Sequence, residues 1–363
     1  MRDRLESVRA GLLEARLDAL LVSTPENRRW LSGFTGSAGW LLITQRDAVL
    51  ATDFRYVEQA GRQAPGFRIL HIGGSYDWFP RLVQEVEAHR IGFEATHLTV
   101  ASYQALIAAL KEAQAEGVSL QATQGLVENL RMRKDPGELA LIARAVAIAD
   151  EALRQVAPTI REGETERAVA WRLEKAMREL GAEGLAFETI VASGPNAALP
   201  HHRPSDRPIG RGETVVIDFG ARYQGYCADL TRTFCLGDPD ETFRKVYDIV
   251  LTAQLTAMAT IQGGMKAGEA DGIARKIIED AGYKENFGHS LGHGIGLAVH
   301  EAPRLGPGSE TPLEDGMVFT IEPGIYLPGW GGVRIEDTVV LENGKVRSLT
   351  TLPKHEAPQR LGE

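Results

Sequence analysis

Two acidic pairs, each set in apolar surroundings, constrain this 363-residue chain more than any other feature. Val215-Val216-Ile217-Asp218-Phe219-Gly220 is an apolar run carrying one acid. After Arg222-Tyr223-Gln224-Gly225 the chain returns as Tyr226-Cys227-Ala228-Asp229-Leu230-Thr231. A turn centred between Tyr223 and Gln224 predicts that Asp218 faces Asp229 across a hairpin. A second ribbon runs Val318-Phe319-Thr320-Ile321-Glu322, turns through Leu327-Pro328-Gly329-Trp330-Gly331, and returns as Val333-Arg334-Ile335-Glu336-Asp337. Centred on Gly329, it places Glu322 opposite Glu336, and Pro323 marks a place for a bulge. Directly opposed side chains stand about 4.5–5.5 Å apart at Cβ, where like charges destabilise a sheet.

Buried carboxylates must be protonated, paired with bases or bound to cations. An exposed sheet face would explain one pair alone, and protonated dyads are known. The histidines favour cations. Five of the nine fall in two short segments, Asn196-Ala197-Ala198-Leu199-Pro200-His201-His202 and Gly288-His289-Ser290-Leu291-Gly292-His293-Gly294-Ile295-Gly296, the latter followed by His300-Glu301. Glycines on both sides of His293 let other backbone approach closely. One imidazole with four carboxylates suits two divalent ions, Mn²⁺ foremost, with Co²⁺ or Zn²⁺ as alternatives. Two ions about 3.5–4 Å apart would activate a shared water and polarise a carbonyl, which is hydrolytic chemistry. A phosphatase or nuclease could use the same equipment, although no Gly-rich phosphate loop or basic cluster accompanies the acids.

The formal charge of −9 argues against nucleic acid or an anionic membrane as partner. No secretory signal is expected at the start, and no apolar run approaches the roughly 18 residues of a membrane span. If one strand joins Cys227 to Cys235, they stand roughly 26 Å apart, too far for a disulfide. Free thiols point to the cytoplasm.

Residues 1–125 read as a small α/β domain, with strands at 19–22, 40–44 and 48–52 and helices over Leu5–Ala15 and Tyr103–Ala115. A boundary falls within 121–134. Residues 135–363 read as an α+β domain that opens on an Asp135-Pro136-Glu138 helix start. Apolar residues 139, 142, 143, 146 and 149 then share one helical face. A second helix runs from Thr165 to Leu180, and later ones lie near 241–262 and 268–281.

The motifs Tyr226 to Thr233, His293 to Glu301, Ile321-Glu322-Pro323-Gly324 and Arg334-Ile335-Glu336-Asp337, in this order, resemble the methionine-aminopeptidase/creatinase superfamily. Its catalytic domain has the pita-bread fold. Leu31 to Ser37 and Thr52-Asp53-Phe54-Arg55-Tyr56 resemble the extra amino-terminal domain of creatinase and of the Xaa-Pro peptidases, aminopeptidase P and prolidase. The resemblance implies that Asp218, Asp229, His293, Glu322 and Glu336 are metal ligands, with Asp229 and Glu336 bridging both ions. Glu322 would also shuttle protons, His201 and His300 would contact the scissile amide, and His289 would lie on the proline side. His202 has no such match.

Arg334 shares a strand face with Glu336, where it orients an acid or meets substrate. Tyr326 is expected beside it as a substrate contact or a packing residue. Phe187 is expected to line the pocket for the residue before proline, or else to be a core aromatic. Thr231 is expected to hydrogen-bond a ligand, with Cys227 as a small filler. The leading expectation is an Xaa-Pro aminopeptidase acting on peptides with proline in second position. Its close rival is an Xaa-Pro dipeptidase, and a non-catalytic pita-bread binding protein is the alternative of another class. The resemblance also implies a homodimer, with one subunit's amino-terminal domain near the other's active site.

Overall fold

The protein, described by a computed structural model over residues 2–354 and 360–361, divides into two units, Met1–Arg131 and Met132–Glu363. In the first unit, β1 (Ala19–Val22), β2 (Trp40–Thr44), β3 (Ala48–Thr52), β4 (Arg68–His71), β5 (Arg90–Glu94) and β6 (Ser119–Thr123) form one mixed sheet, ordered β4-β3-β2-β1-β5-β6. Leu21, Leu42 and Val49 from the sheet pack with Phe79, Leu82 and Leu106 from two helices. The first helix spans Arg2–Glu14. The last long helix spans Val100–Glu112 rather than 103–115, because the Thr99 side chain accepts from Ser102 N and caps it earlier.

The second unit opens on the helix Pro136–Val156. Asp135 and Glu138 form a reciprocal capping box, and Ile142, Ala145, Val146, Ala149 and Leu153 are buried along one face. Helices Glu166–Glu179, Glu241–Thr260 and Ala267–Asp280 follow. The strands are β7 (Gly184–Leu185), β8 (Ile190–Ser193), β9 (Thr214–Phe219), β10 (Ala221–Tyr223), β11 (Tyr226–Cys227), β12 (Leu230–Leu236), β13 (Gly292–Gly294), β14 (Glu301–Leu305), β15 (Val318–Ile321), β16 (Gly324–Leu327), β17 (Gly331–Arg334), β18 (Asp337–Glu342), β19 (Lys345–Ser348) and β20 (Arg360–Leu361). They form sheets ordered β14-β13-β15-β18-β19, β20-β12-β9-β8, β11-β10-β7 and β16-β17. The main core packs Phe243, Val246, Tyr247 and Val250 against Phe319, Ile321, Val339 and Leu341. Cys227 and Cys235 are both buried. Among the described residues no helix is long and apolar enough to cross a membrane.

The second ribbon has the expected register. Gly324 faces Arg334, Ile325 faces Val333, and beyond a break Ile321 faces Asp337. Glu322 and Glu336 lie opposite one another in that break, beside Pro323. The first ribbon does not face Asp218 with Asp229. Its turn is the two-residue Gln224-Gly225, with φ of 45° and 82°, so Tyr223 faces Tyr226 and Asp218 faces Thr231. Positive φ at both central positions is the geometry that twists with a hairpin, and it moves the turn centre along by one residue. Asp229 is thereby displaced by two positions, and an even shift preserves the face.

Candidate active site

The site is built where the two ribbons meet. Asp218 of β9 faces Thr231 of β12, which forms an antiparallel bridge to Glu336. Glu336 N donates to Thr231 O at 3.1 Å, and Thr231 Oγ1 donates to Glu336 Oε2 at 2.7 Å. Three neighbouring backbones thus set two acids on either side of a hydroxyl. Gly220 makes the approach of Asp229 possible, because a Cβ there would lie 1.8 Å from Ala228 O.

His293 sits on β13 between two glycines that the packing requires. A Cβ at Gly292 would lie 1.9 Å from Thr320 O, and one at Gly294 would lie 2.1 Å from Ala302 O. The His293 ring sets Nδ1 3.1 Å from Gly294 O. That contact assigns Nδ1 as donor and leaves Nε2 facing Glu322 Oε1 at 3.3 Å and Asp229 Oδ2 at 3.5 Å. Donor atoms lie within 4.8 Å of one another in three sets: Asp229, His293 and His300; His293, Glu322 and Glu336; and Asp218, Asp229 and Glu336.

The charges do not balance. Were all four carboxylates ionised, one guanidinium, Arg334, and at most one imidazolium would answer them, leaving at least two negative charges without a partner. Burial, followed by the neighbouring acids, pushes Asp229 and Glu336 well above the carboxylate range. Burial also raises Asp218, against the pull of Arg334. Glu322 goes the other way: His293 overcomes burial and holds it at about 2. Among the described residues, Asp218 Oδ1 is buried with no hydrogen-bond partner. An orphaned carboxylate oxygen inside an over-acidic, oxygen-rich pocket fits divalent cations.

A polar chain supports one side of the cluster. Arg334 donates from Nη2 to Asp218 Oδ2 at 2.6 Å, from Nε to Thr231 Oγ1 at 3.2 Å and from Nη1 to Tyr326 OH at 2.8 Å. Tyr326 OH lies 2.9 Å from His289 Nε2, and His289 Nδ1 lies 2.8 Å from Ser290 O. Burial lowers the His289 pKa, so the ring is neutral, carrying its proton on Nδ1 and accepting from Tyr326. Burial raises Tyr326 to about 12, which keeps its proton available.

The cluster lies in a cavity of about 770 Å³ whose wall also carries Phe187, His201, His289, His300, Tyr326 and Arg334. His201 and His300 are exposed on it, and the His300 ring meets His293 edge-on at 4.3 Å. Burial and His293 together lower the His300 pKa. Cys227 is packed away, its Sγ 3.8 Å from Leu297 O. His202 also lines the cavity and binds Glu166 Oε2 at 2.8 Å.

Several wall residues escaped the sequence reading. Glu301 makes a buried ion pair with Lys134 at 2.7 Å, and the only local hint is its place beside His300. Arg304 reaches the wall from β14, its Nε donating to Ser290 Oγ at 2.9 Å, and no carboxylate pairs with it among the described residues. No spacing rule would have selected it.

This combination of fold, acid cluster and cavity defines a pita-bread metallohydrolase. The chain belongs to metallopeptidase family M24: residues 140–343 match that family, and residues 4–133 match the creatinase/prolidase N-terminal domain. It is 42% identical to a solved Xaa-Pro dipeptidase from Bacillus anthracis, covering 98% of each chain with a TM-score of 0.93. It is 39% identical to the Xaa-Pro dipeptidase of Pyrococcus furiosus over 97% of this chain and 99% of that one. A solved X-Pro aminopeptidase from Thermotoga maritima is 39% identical, with 94% and 97% coverage and a TM-score of 0.86. This chain is accordingly a metallopeptidase.

Proposed function

We propose that this chain is a two-metal Xaa-Pro dipeptidase, splitting the bond between an amino acid and a C-terminal proline. The observation that carries the reading is the convergence of Asp218, Asp229, His293, Glu322 and Glu336 in a cavity whose wall also offers Arg304, with which no carboxylate pairs among the described residues. The five residues would hold the ions, and the carboxylate majority favours Mn²⁺ over Co²⁺ or Zn²⁺. Bound there, the ions would supply Lewis-acid activation of water and of the scissile carbonyl.

The chain's own residues do the rest. Glu322, held ionised, accepts the proton of the attacking water and returns it to the departing prolyl nitrogen. His201 and His300 stand on the wall as hydrogen-bond donors to charge developing on the carbonyl oxygen. Arg334 and Tyr326 hold Asp218 and His289 in place. Phe187 faces the residue before proline. The guanidinium of Arg304 is a ready partner for the carboxylate of a dipeptide. A homodimer belongs to the proposal on the ground of resemblance, and a cytoplasmic setting on the free thiol of Cys227.

The expected substrate order reverses the sequence expectation of an aminopeptidase, because the dipeptidase relatives match over nearly the full length of both chains. The Thermotoga neighbour keeps the aminopeptidase as the second reading. With Mn²⁺, an Xaa-Pro dipeptide is expected to be cleaved and an Xaa-Pro tripeptide to be cleaved far more slowly. Arg304→Ala is expected to lower kcat/KM for the dipeptide by about 10- to 100-fold, mainly through KM, since it removes a charged contact made in ground and transition states alike. Faster cleavage of the tripeptide would establish the second reading, and inertness towards both would sink the proposal.

A further inference from the structure

Behind the cavity wall, the helix Ala267–Asp280 carries an ion pair that binds the segment bearing His289 and leading into His293. Asp271 and Arg275 sit one turn apart. Arg275 Nε meets Asp271 Oδ2 at 2.6 Å and Nη2 meets Oδ1 at 2.9 Å, and Asp271 is 1% exposed. Two further donors of the same guanidinium go to backbone carbonyls. Nη1 donates to Phe287 O at 3.0 Å and Nη2 to His289 O at 2.8 Å, while the guanidinium lies 4.3 Å from the centre of the Phe287 ring. Asp271 Oδ1 accepts in turn from Leu291 N at 2.9 Å.

This segment, 287–291, is irregular backbone between a short 3-10 turn and β13. Its peptide groups have no ladder to satisfy them, and an unpaired buried group is costly. The pair supplies the missing partners, and the frame extends further. Leu291 O accepts from Glu322 N at 2.8 Å, so one residue is held by Asp271 through its N–H and holds the backbone of Glu322 through its carbonyl. His293 follows two residues later. The Phe287 ring under Arg275 also meets the His289 ring edge-on at 5.0 Å.

We propose that Asp271 and Arg275 are positioning residues for the site, setting His289 against Tyr326 and fixing the spacing of His293 and Glu322. The proposal rests on the reading of the acid cluster as a metal site. Arg275 is suited to it because its planar fork carries five donors and can serve an acid and two carbonyls at once, which an ammonium cannot.

The test compares the full-length parent with Arg275→Gln, Arg275→Lys and Asp271→Asn, and with Lys276→Ala as a control. Lys276 pairs with Asp280 on the exposed face of the same helix. Mn²⁺ affinity by calorimetric titration, kcat and KM with an Xaa-Pro dipeptide, and Tm are measured for each. Arg275→Gln is expected to weaken Mn²⁺ binding and kcat/KM by about 10- to 100-fold, the range for residues that orient metal ligands. Arg275→Lys is expected to recover part of both, and Lys276→Ala to match the parent. If Arg275→Gln and Asp271→Asn lower Tm while Mn²⁺ affinity and kcat/KM stay within about twofold of the parent, the pair only stabilises the fold and the positioning role is overturned. Should Arg275→Gln fail to fold, Arg275→Lys and Asp271→Asn carry the same comparison. If the parent binds Mn²⁺ but cleaves no prolyl bond, the proposed function falls, whereas the Mn²⁺ affinities still decide the role of the pair.

Discussion

Glu336→Gln is expected to abolish hydrolysis and at the same time to stabilise the metal-free protein. Glu336 is 1% exposed and shares its pocket with Asp218, Asp229 and Glu322. In the proposed metal site its carboxylate would help to hold the cations, so its loss is expected to lower kcat/KM by about 10³-fold or more, equivalent to roughly 4 kcal/mol of transition-state stabilisation. Without metal the same charge is a liability. Burial first, then Glu322 and Asp218, raises its folded pKa well above the ordinary value. The folded protein therefore holds this proton more tightly than the unfolded chain. The associated stability is intact below the usual glutamate range and is lost as pH rises through the raised value. Glutamine cannot ionise, so its advantage over the parent in chelator widens as pH rises. Urea unfolding in chelator at about pH 5 and about pH 8 measures this difference. Equal stabilities at both, or retained hydrolysis, would remove Glu336 from the site.

The second large effect lies on the reverse face of the same strands. Alternation sends Thr231 and Glu336 towards the cluster, and their neighbours Arg232 and Asp337 away from it. Arg232 Nη2 meets Asp337 Oδ1 at 2.8 Å, and Arg232 also donates to the carbonyls of Thr231, Glu336 and Leu352. Gln254 Nε2 donates to Asp337 Oδ2 at 3.0 Å, and Lys354 pairs with the same oxygen. Arg232→Met strands a carboxylate that is fully buried and three carbonyls with it. Breaking a buried pair in this way costs about 3–5 kcal/mol. For a domain of this size that corresponds to a fall in Tm of roughly 6–20 °C. Differential scanning calorimetry reads it directly. A loss below about 1 kcal/mol would show that Lys354 alone neutralises Asp337.

The two faces of these strands also explain what was legible in the sequence. Short apolar runs that each carry an acid can be read from local pattern, and so the acid-bearing ribbons and the helix capped by Asp135 and Glu138 are legible. The second ribbon was placed in register because Gly329 marks its centre. The first was misplaced by two residues because Gln224 adopts positive φ, which a glutamine does not advertise. The face survived that error since strands alternate with period two. What stayed hidden depends on partners far apart in the chain. Lys134 meets Glu301 across 167 positions, and Asp218 meets Arg334 across 116. Glu166, in the first turn of its helix, reads as an ordinary surface acid. In the fold it is buried and accepts from Ser193, Asn196 and Ser205, tying down the loop that bears His201.

The most direct measurement is anomalous X-ray scattering at the manganese edge from crystals grown with Mn²⁺. Two peaks are expected, both enclosed by Asp218, Asp229, His293, Glu322 and Glu336. No peak within that ring of side chains, or manganese bound only elsewhere on the protein, would contradict a metal-dependent peptidase centred on these five residues.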